Sequence, residues 1–195
     1  MNKLILYILL AFMLAGCNLF RQENKKEFSE LKIDSSKISK NSIESIKGIQ
    51  INPPLGWRNL NSLIESKRIS LGSVLHKDES FSLNTKSVFI GNSPNQLMTI
   101  SEMIPDSNSA NNFVENYFNF IKLKFRNDEI NFDKLIINRH ATDKIEIKKE
   151  GLMSIRFLTQ TSDNRIVQIE FTLPVKDYEK VIENIKSSIA TLKVF

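Results

Sequence analysis

The stretch GLMSIRFLTQTSDNRIVQIEFTLP, residues 151–174, decides the fold. On both sides of Ser162-Asp163-Asn164, apolar and polar side chains alternate, a pattern typical of a strand that buries one face. The apolar members are Met153, Ile155, Phe157, Val167, Ile169, Phe171 and Leu173. Because Ser, Asp and Asn favour turns, the two strands, 151–161 and 164–173, are predicted to form an antiparallel hairpin.

Two segments with helical spacing flank this hairpin. After Pro174, residues 177–192 place their apolar side chains in one narrow stripe, which predicts a helix that packs on a sheet. Upstream, residues 109–126 place Phe113, Tyr117, Ile121 and further apolar side chains on one face, and the polar loop at 106–109 can cap this helix. We therefore expect two helices, each burying one face.

Shorter strand patterns fill the rest of the folded region. They lie at 48–52, 80–84, 87–91, 96–103, 132–138 and 143–148. Many strands with two helices segregated in sequence predict an α+β layered fold. A chain of 195 residues with 41% hydrophobic and 25% charged residues can form one ordinary globular domain, which we place at residues 48–195.

The preceding segment, residues 17–47, is poor in apolar side chains. Lys, Glu, Ser and Asn dominate it, and no aromatic residue follows Phe28. Such a composition buries too little apolar surface to offset the cost of ordering the chain, so we expect a flexible tether. A weak helix over 36–47 is the alternative, since Ile38, Ile43 and Ile46 approach helical spacing.

The first residues have the anatomy of a secretory signal. Lys3 precedes an apolar run at 4–14, which is shorter than the roughly 20 residues that span a bilayer. The tetrad Leu14-Ala15-Gly16-Cys17 resembles the lipobox of bacterial lipoprotein precursors. This resemblance implies that a signal peptidase recognises Leu14, Ala15 and Gly16, removes residues 1–16, and leaves acyl chains on Cys17.

Two other interpretations of the leader remain open: an ordinary cleaved signal peptide with a chance cysteine, and an uncleaved anchor. Cys17 is the only cysteine, so no intrachain disulfide can form, and a lone exported thiol favours the lipid interpretation. Two or three acyl chains would hold the protein firmly on a membrane.

The folded region resembles the PsbP and DcrB group, which also includes a Ran-binding nuclear import factor. The matching features are Ile51-Asn52-Pro53-Pro54-Leu55-Gly56-Trp57, Ile100-Ser101-Glu102, Asn112-Phe113-Val114, Phe171-Thr172-Leu173-Pro174, Tyr178 and Ser188-Ile189-Ala190-Thr191-Leu192. The resemblance implies an antiparallel sheet sandwiched by helices, and accessory or partner-binding roles without catalysis. Residues 58–79 fit this group poorly, so their structure is left open.

No motif for catalysis, metal or cofactor binding emerges. His76 and His140 lack zinc-site spacing, and six glycines form neither GxGxxG nor a P-loop. A triad of His140, Asp143 and Ser154 can be drawn, but no Gly-x-Ser-x-Gly elbow supports it. We expect no enzyme activity, no metal and no cofactor; a weak hydrolase hypothesis rests on His140.

Four side chains are candidates for ligand or partner contact: Trp57, Lys122, Lys124 and Arg126. The three cations end the first helix, where they stabilise its negative terminus, and a patch for anionic lipid or a partner is the alternative. Trp57, the only tryptophan, is expected mainly in the core. The net charge of +5 is spread along the chain, and the predicted compartment excludes nucleic acid as a partner.

These features predict a lipid-anchored lipoprotein of the cell envelope, on either the periplasmic or the surface face. Its leading function is a non-catalytic binding or accessory module that docks an envelope protein. The alternatives are a carrier of a small apolar or lipid ligand between the sheet and the Phe-rich helix, and a surface-exposed lipoprotein that contacts host molecules.

Overall fold

A computed structural model describes residues 31–61, 81–93, 95–105 and 112–195. The leader, Cys17, His76 and most of the segment 58–79 lie outside the described residues. The elements are β1 (Ile43–Ile46), β2 (Ile49–Ile51), β3 (Arg58–Asn59), β4 (Phe81–Ile90), β5 (Leu97–Pro105), α1 (Phe113–Lys124), β6 (Glu129–Ile137), β7 (His140–Lys149), β8 (Leu152–Gln160), β9 (Ile166–Pro174), a 3-10 turn (Val175–Asp177), α2 (Tyr178–Ala190) and β10 (Lys193–Val194).

The predicted hairpin lies inside a seven-stranded antiparallel sheet with the order β3-β4-β5-β9-β8-β7-β6. Strands β8 and β9 pair in the expected register, with Ile155 opposite Phe171 and Phe157 opposite Ile169. All four side chains are fully buried, as the alternation predicts. Asn164 takes a left-handed backbone conformation in the connecting turn (φ 64°), which Asn tolerates well.

Helix α1 covers one face of this sheet. Phe113, Tyr117 and Ile121, spaced four residues apart, form its buried stripe. They pack with Phe81 and, from the sheet, with Met103, Ile145, Ile147 and Leu158. The Phe81 ring meets Phe113, Tyr117 and Phe120 edge to face at centroid distances of 5.0–5.9 Å. Aromatic rings therefore form much of the contact between α1 and the sheet.

The ends of α1 differ from the predicted 109–126. The helix begins at Phe113, after Asn112 in a left-handed conformation (φ 63°) with no side-chain cap. It ends at Lys124, so Arg126 lies in the turn that follows. The loop proposed to cap it, 106–109, lies outside the described residues.

The boundary of the predicted tether at residue 47 is wrong. Residues from Leu31 onward belong to the same compact unit as the rest of the domain. Strand β1 pairs with β2, which also pairs with β10, and Ile38 bridges to Pro54. Ile38 and Ile46 are buried by these long-range partners, so the alternative helix over 36–47 is also wrong.

Other strands run longer than their patterns predict. The expected strands 80–84 and 87–91 form one strand, β4, with a register shift between Thr85 and Ser87 that reads as a β-bulge. Strands β6 and β7 form a second hairpin through Asn138 and Arg139, both with positive φ (48° and 72°). A turn with two left-handed residues matches the twist of paired strands, which explains the tight connection.

Candidate binding surfaces

Cations and aromatic rings meet on the outer surface of α1. Lys122 Nζ lies 5.3 Å from the centroid of the Phe132 ring on β6. Lys124 Nζ lies 5.0 Å from the centroid of Phe120 and 5.9 Å from that of Phe125. At these distances a cation is attracted by the face of the ring. Paired contacts of this kind hold the lysine stems along the surface of the helix.

Lys149, from the end of β7, extends this surface. Its Nζ lies 5.9 Å from the Phe125 centroid, and 4.0 Å from a carboxylate oxygen of Asp128. We call the surface formed by Lys122, Leu123, Lys124, Arg126 and Lys149 the basic face. Leu123, which is 73% exposed, lies in sequence between two of these lysines.

The basic face has a clear excess of positive charge. Residues 116–127 contain three cations and no carboxylate. With Lys149 and Asp128 included, these residues comprise four cations and one carboxylate, a formal sum of +3. The sequence found Lys122, Lys124 and Arg126 but missed Lys149, which only the pairing of the strands brings beside Phe125.

A buried polar network lies beneath the basic face. The Tyr117 hydroxyl donates to Gln168 Oε1 at 2.7 Å and accepts from Arg156 Nη1 at 2.9 Å. Arg156 Nε donates to Glu170 Oε1 at 3.1 Å, and Ser154 Oγ donates to the same oxygen at 2.6 Å. Burial opposes the charge of Arg156, but Glu170 and Tyr117 more than compensate, so the guanidinium pKa lies above its ordinary value.

This network joins the helix to the middle of the sheet. Gln168 Nε2 also donates to Glu170 Oε2 at 3.1 Å, so the donors and acceptors of the cluster are used among themselves. The Arg156 guanidinium lies 5.9 Å from the centroid of Phe125, which connects the network to the ring under the basic face. Its arrangement fixes where α1 sits and leaves the charges of the cluster largely compensated.

A polar pocket of about 330 Å³ lies at the turn that connects β8 and β9. Its lining residues are Glu44, Lys47, Gly48, Ser162, Asp163, Arg165 and Phe195, and we call it the turn pocket. The sequence did not reveal it, because the lining comes from three separate segments. Only the turn signal at 162–164 pointed to part of it.

An ion pair forms one wall of the turn pocket. Arg165 Nη2 lies 2.9 Å from Asp163 Oδ2 and donates to the Lys47 carbonyl at 2.7 Å. Hydrogen bonds from Arg165 and Thr161 lower the pKa of the Asp163 carboxyl to about 2. The carboxylate is therefore charged throughout the physiological range, and the pocket combines fixed negative and positive groups.

Trp57 is a core residue in the structure. It is 8% exposed and meets the Phe171 ring edge to face at 5.9 Å. A Cβ at Gly91 would lie 3.0 Å from the Trp57 ring and 2.6 Å from Gln96 Oε1, so glycine is required for this close packing. The faces of the indole are used for packing, which argues against its role as a ligand contact.

The three residues of the hypothetical catalytic triad, His140, Asp143 and Ser154, lie apart on the sheet. His140 begins β7, whereas Ser154 pairs with Ile147, seven residues further along that strand. At about 3.3 Å per residue, seven residues correspond to roughly 23 Å. Asp143 projects from the opposite face to His140 because successive strand residues alternate. These three residues do not form a catalytic group.

Two further observations concern metals and membranes. Across residues 31–61, 81–93, 95–105 and 112–195, no three His, Cys, Asp or Glu side chains are arranged to hold a metal ion. In the same part of the chain, no helix has the length and apolar character to cross a bilayer.

Comparison with known proteins identifies a lipid attachment site and the fold. Residues 1–18 match the family of the prokaryotic membrane lipoprotein lipid attachment site. The solution structure of cyanobacterial PsbP (CyanoP) from Synechocystis sp. PCC 6803 superposes with a TM-score of 0.51 at 9% identity, over 82% of this chain and 93% of that one. PA94, a protein of unknown function from Pseudomonas aeruginosa, gives a TM-score of 0.40 at 12% identity, over 77% and 94%. A search of curated protein sequences finds no match.

The chain thus carries a lipoprotein attachment site followed by a PsbP-like α+β domain, as the two resemblances predicted. It is a lipid-anchored, membrane-associated lipoprotein of the cell envelope. The likeness to CyanoP concerns the fold alone, since 9% identity transfers no function.

Proposed function

We propose that this lipoprotein, acylated on Cys17, is a non-catalytic binding module that docks an envelope protein. The observation that carries the proposal is the attachment site itself, joined to a well-packed domain whose buried charges are used in structural contacts. Anchoring confines the domain to one surface, and such confinement favours encounter with partners held on that surface.

The packing of α2 narrows the choice of docking surface. Its buried stripe contains Ile182, Ile185 and Ile189, and Asn138 Nδ2 donates to the carbonyls of Ala190 and Leu192 at its end. We infer that α2 covers the sheet face opposite α1, which completes a sheet sandwiched by helices. A partner then has access to the outer helix surfaces, the sheet edges and the turn pocket.

We assign the protein contact to the turn pocket. About 330 Å³ is at the small end of the range for ligand sites and suits one or two side chains of a partner better than a large metabolite. Its charged groups, Glu44, Lys47, Asp163 and Arg165, balance to zero net charge, and Phe195 is 59% exposed at its wall. Phe195 and Arg165 are of residue types that are enriched at protein interfaces.

Crosslinking in native membranes tests the proposal. The lipidated full chain is compared with Lys47→Glu and Phe195→Ser, both at exposed positions, and with Lys180→Glu on the outer side of α2 as a matched control. We expect a discrete crosslinked protein with the wild type and Lys180→Glu, and its loss with either pocket variant. Absence of any crosslinked protein, or equal crosslinking of all four chains, contradicts the proposal.

A further inference from the structure

We infer that the basic face docks on anionic phospholipid headgroups of the membrane that holds the anchor. This contact is separate from the protein contact proposed for the turn pocket, and the two share only the lipid anchor. It would fix the orientation of the domain relative to the membrane.

Charge complementarity is the first argument. The net charge of +3 on the basic face contrasts with the turn pocket, where two cations and two carboxylates balance. Each Lys or Arg near an anionic bilayer strengthens binding about fivefold, on the scale of about 1 kcal/mol for each charge. Three such charges together amount to a factor of about one hundred.

The second argument is the chemical mixture on the surface. Interfacial helices combine basic residues with apolar side chains that enter the boundary between headgroups and acyl chains. Leu123, 73% exposed, follows Lys122 and precedes Lys124 in the last turn of α1, so the two lysines project about 100° to either side of it. A leucine that is costly in water would be stabilised in that boundary, while the flanking amines remain at the level of the phosphates.

The length of chain between anchor and domain allows the contact. Leu31, where the compact unit begins, follows Cys17 by 14 positions. A chain of that length reaches at most about 50 Å when fully extended. This upper bound exceeds the thickness of a helix packed on a sheet, each layer being about 10 Å, so the number of residues before Leu31 does not prevent the basic face from reaching the bilayer.

The test uses the fact that Cys17 is the only cysteine. Acylation consumes its thiol, so Leu123→Cys provides a single site for a nitroxide label in the lipidated full chain. Leu55→Cys, also apolar and 51% exposed but outside the basic face, is the matched control. The wild type should take up no label; labelling of the wild type would show that Cys17 is not acylated, a failure of the proposed function rather than of this inference.

Accessibility of the label to oxygen dissolved in lipid and to a water-soluble nickel chelate is measured in two kinds of vesicle. These contain phosphatidylcholine alone, or phosphatidylcholine with phosphatidylglycerol. We expect the label at residue 123 to enter the lipid phase only in vesicles that contain phosphatidylglycerol, and to return to water at high salt. The label at residue 55 should remain in water under all conditions. Equal behaviour in both vesicles, or transfer of both labels, overturns the inference.

Charge removal supplies the second arm. In chains labelled at 123, Lys122→Gln, Lys124→Gln and Arg126→Gln together should lower the ratio of docked to undocked domain about one hundredfold. Replacement of three other exposed lysines by glutamine, at Lys176, Lys180 and Lys193, should change the ratio of docked to undocked domain far less. Unaltered docking in the first variant, or protection of residue 123 only in native membranes rich in protein, would show that a protein rather than lipid covers the face.

Discussion

Removal of either charge from the Arg156–Glu170 pair should destabilise the fold strongly. Both side chains are largely buried, with 16% and 18% exposed, and Arg156 Nε lies 3.1 Å from Glu170 Oε1. Loss of one partner of a buried pair costs about 3–5 kcal/mol. The lower end applies to Arg156→Met, because the Glu170 carboxylate keeps its bonds from Ser154 and Gln168. We expect about 3 kcal/mol for this variant and for Glu170→Gln.

The double variant separates coupling from simple packing loss. With both charges gone, no uncompensated ion remains, so its cost should fall below the sum of the single costs by about 1–3 kcal/mol. Urea unfolding of the full chain in detergent, followed by fluorescence of Trp57, measures all three. The exposed pair Lys148–Glu129, at 3.3 Å, is the control, and its removal should cost about 0.5 kcal/mol or less. Additive costs for Arg156 and Glu170 would refute the reasoning.

Three further outcomes follow from local contacts. Gly91→Ala should destabilise the domain by about 1–3 kcal/mol and shift the emission of Trp57, because the added methyl meets that ring; an unchanged spectrum contradicts this. Asn138→Gly keeps the left-handed turn but removes two hydrogen bonds to the end of α2, so urea unfolding should show a loss of about 1–2 kcal/mol. NMR titration should place the pKa of the Asp163 carboxyl near 2, and Arg165→Leu should raise that pKa. Because the pKa of Asp163 is lower in the folded than in the unfolded chain, its ionised form stabilises the fold above the carboxyl's ordinary pKa. This stabilisation is lost as the pH falls towards 2.

The central hairpin was predictable because its signal is local. Met153 to Phe157 and Val167 to Leu173 alternate over adjacent strands, and the turn residues lie between them. Each step of that inference depends on neighbours within a few residues. The same applies to α1 and α2, whose buried stripes follow helical spacing and were assigned to the correct segments.

Residues 31–47 were misjudged because their burial depends on distant partners. The four isoleucines of this polar segment, Ile33, Ile38, Ile43 and Ile46, carry little periodic signal, so composition indicated a tether. Ile46 is buried only because β1 joins β2, which in turn pairs with β10 from the opposite end of the chain. Tertiary pairing overrides local propensity at such edges, and no pattern within the segment reports it.

The candidate surfaces also combine residues that the sequence reveals with residues that only the fold brings together. Lys122 and Lys124 were found because they share a helix end, a feature visible in sequence. Phe132 and Lys149 join them only through the pairing of β6 with β7 and the packing of α1 on that hairpin. The turn pocket combines residues 44–48, 162–165 and 195, so its discovery required the three-dimensional arrangement.

The corrected start of the domain changes how anchor and basic face act together. A fold that began after residue 47 would be separated from Cys17 by roughly twice as many residues as a fold that begins at Leu31. Effective concentration at the bilayer falls about as the −3/2 power of linker length, so doubling the length weakens docking only about threefold. Loss of three cations weakens it about one hundredfold. The number of residues before the fold therefore changes docking far less than the charges around Leu123, which determine whether the domain stays on the membrane with one face down.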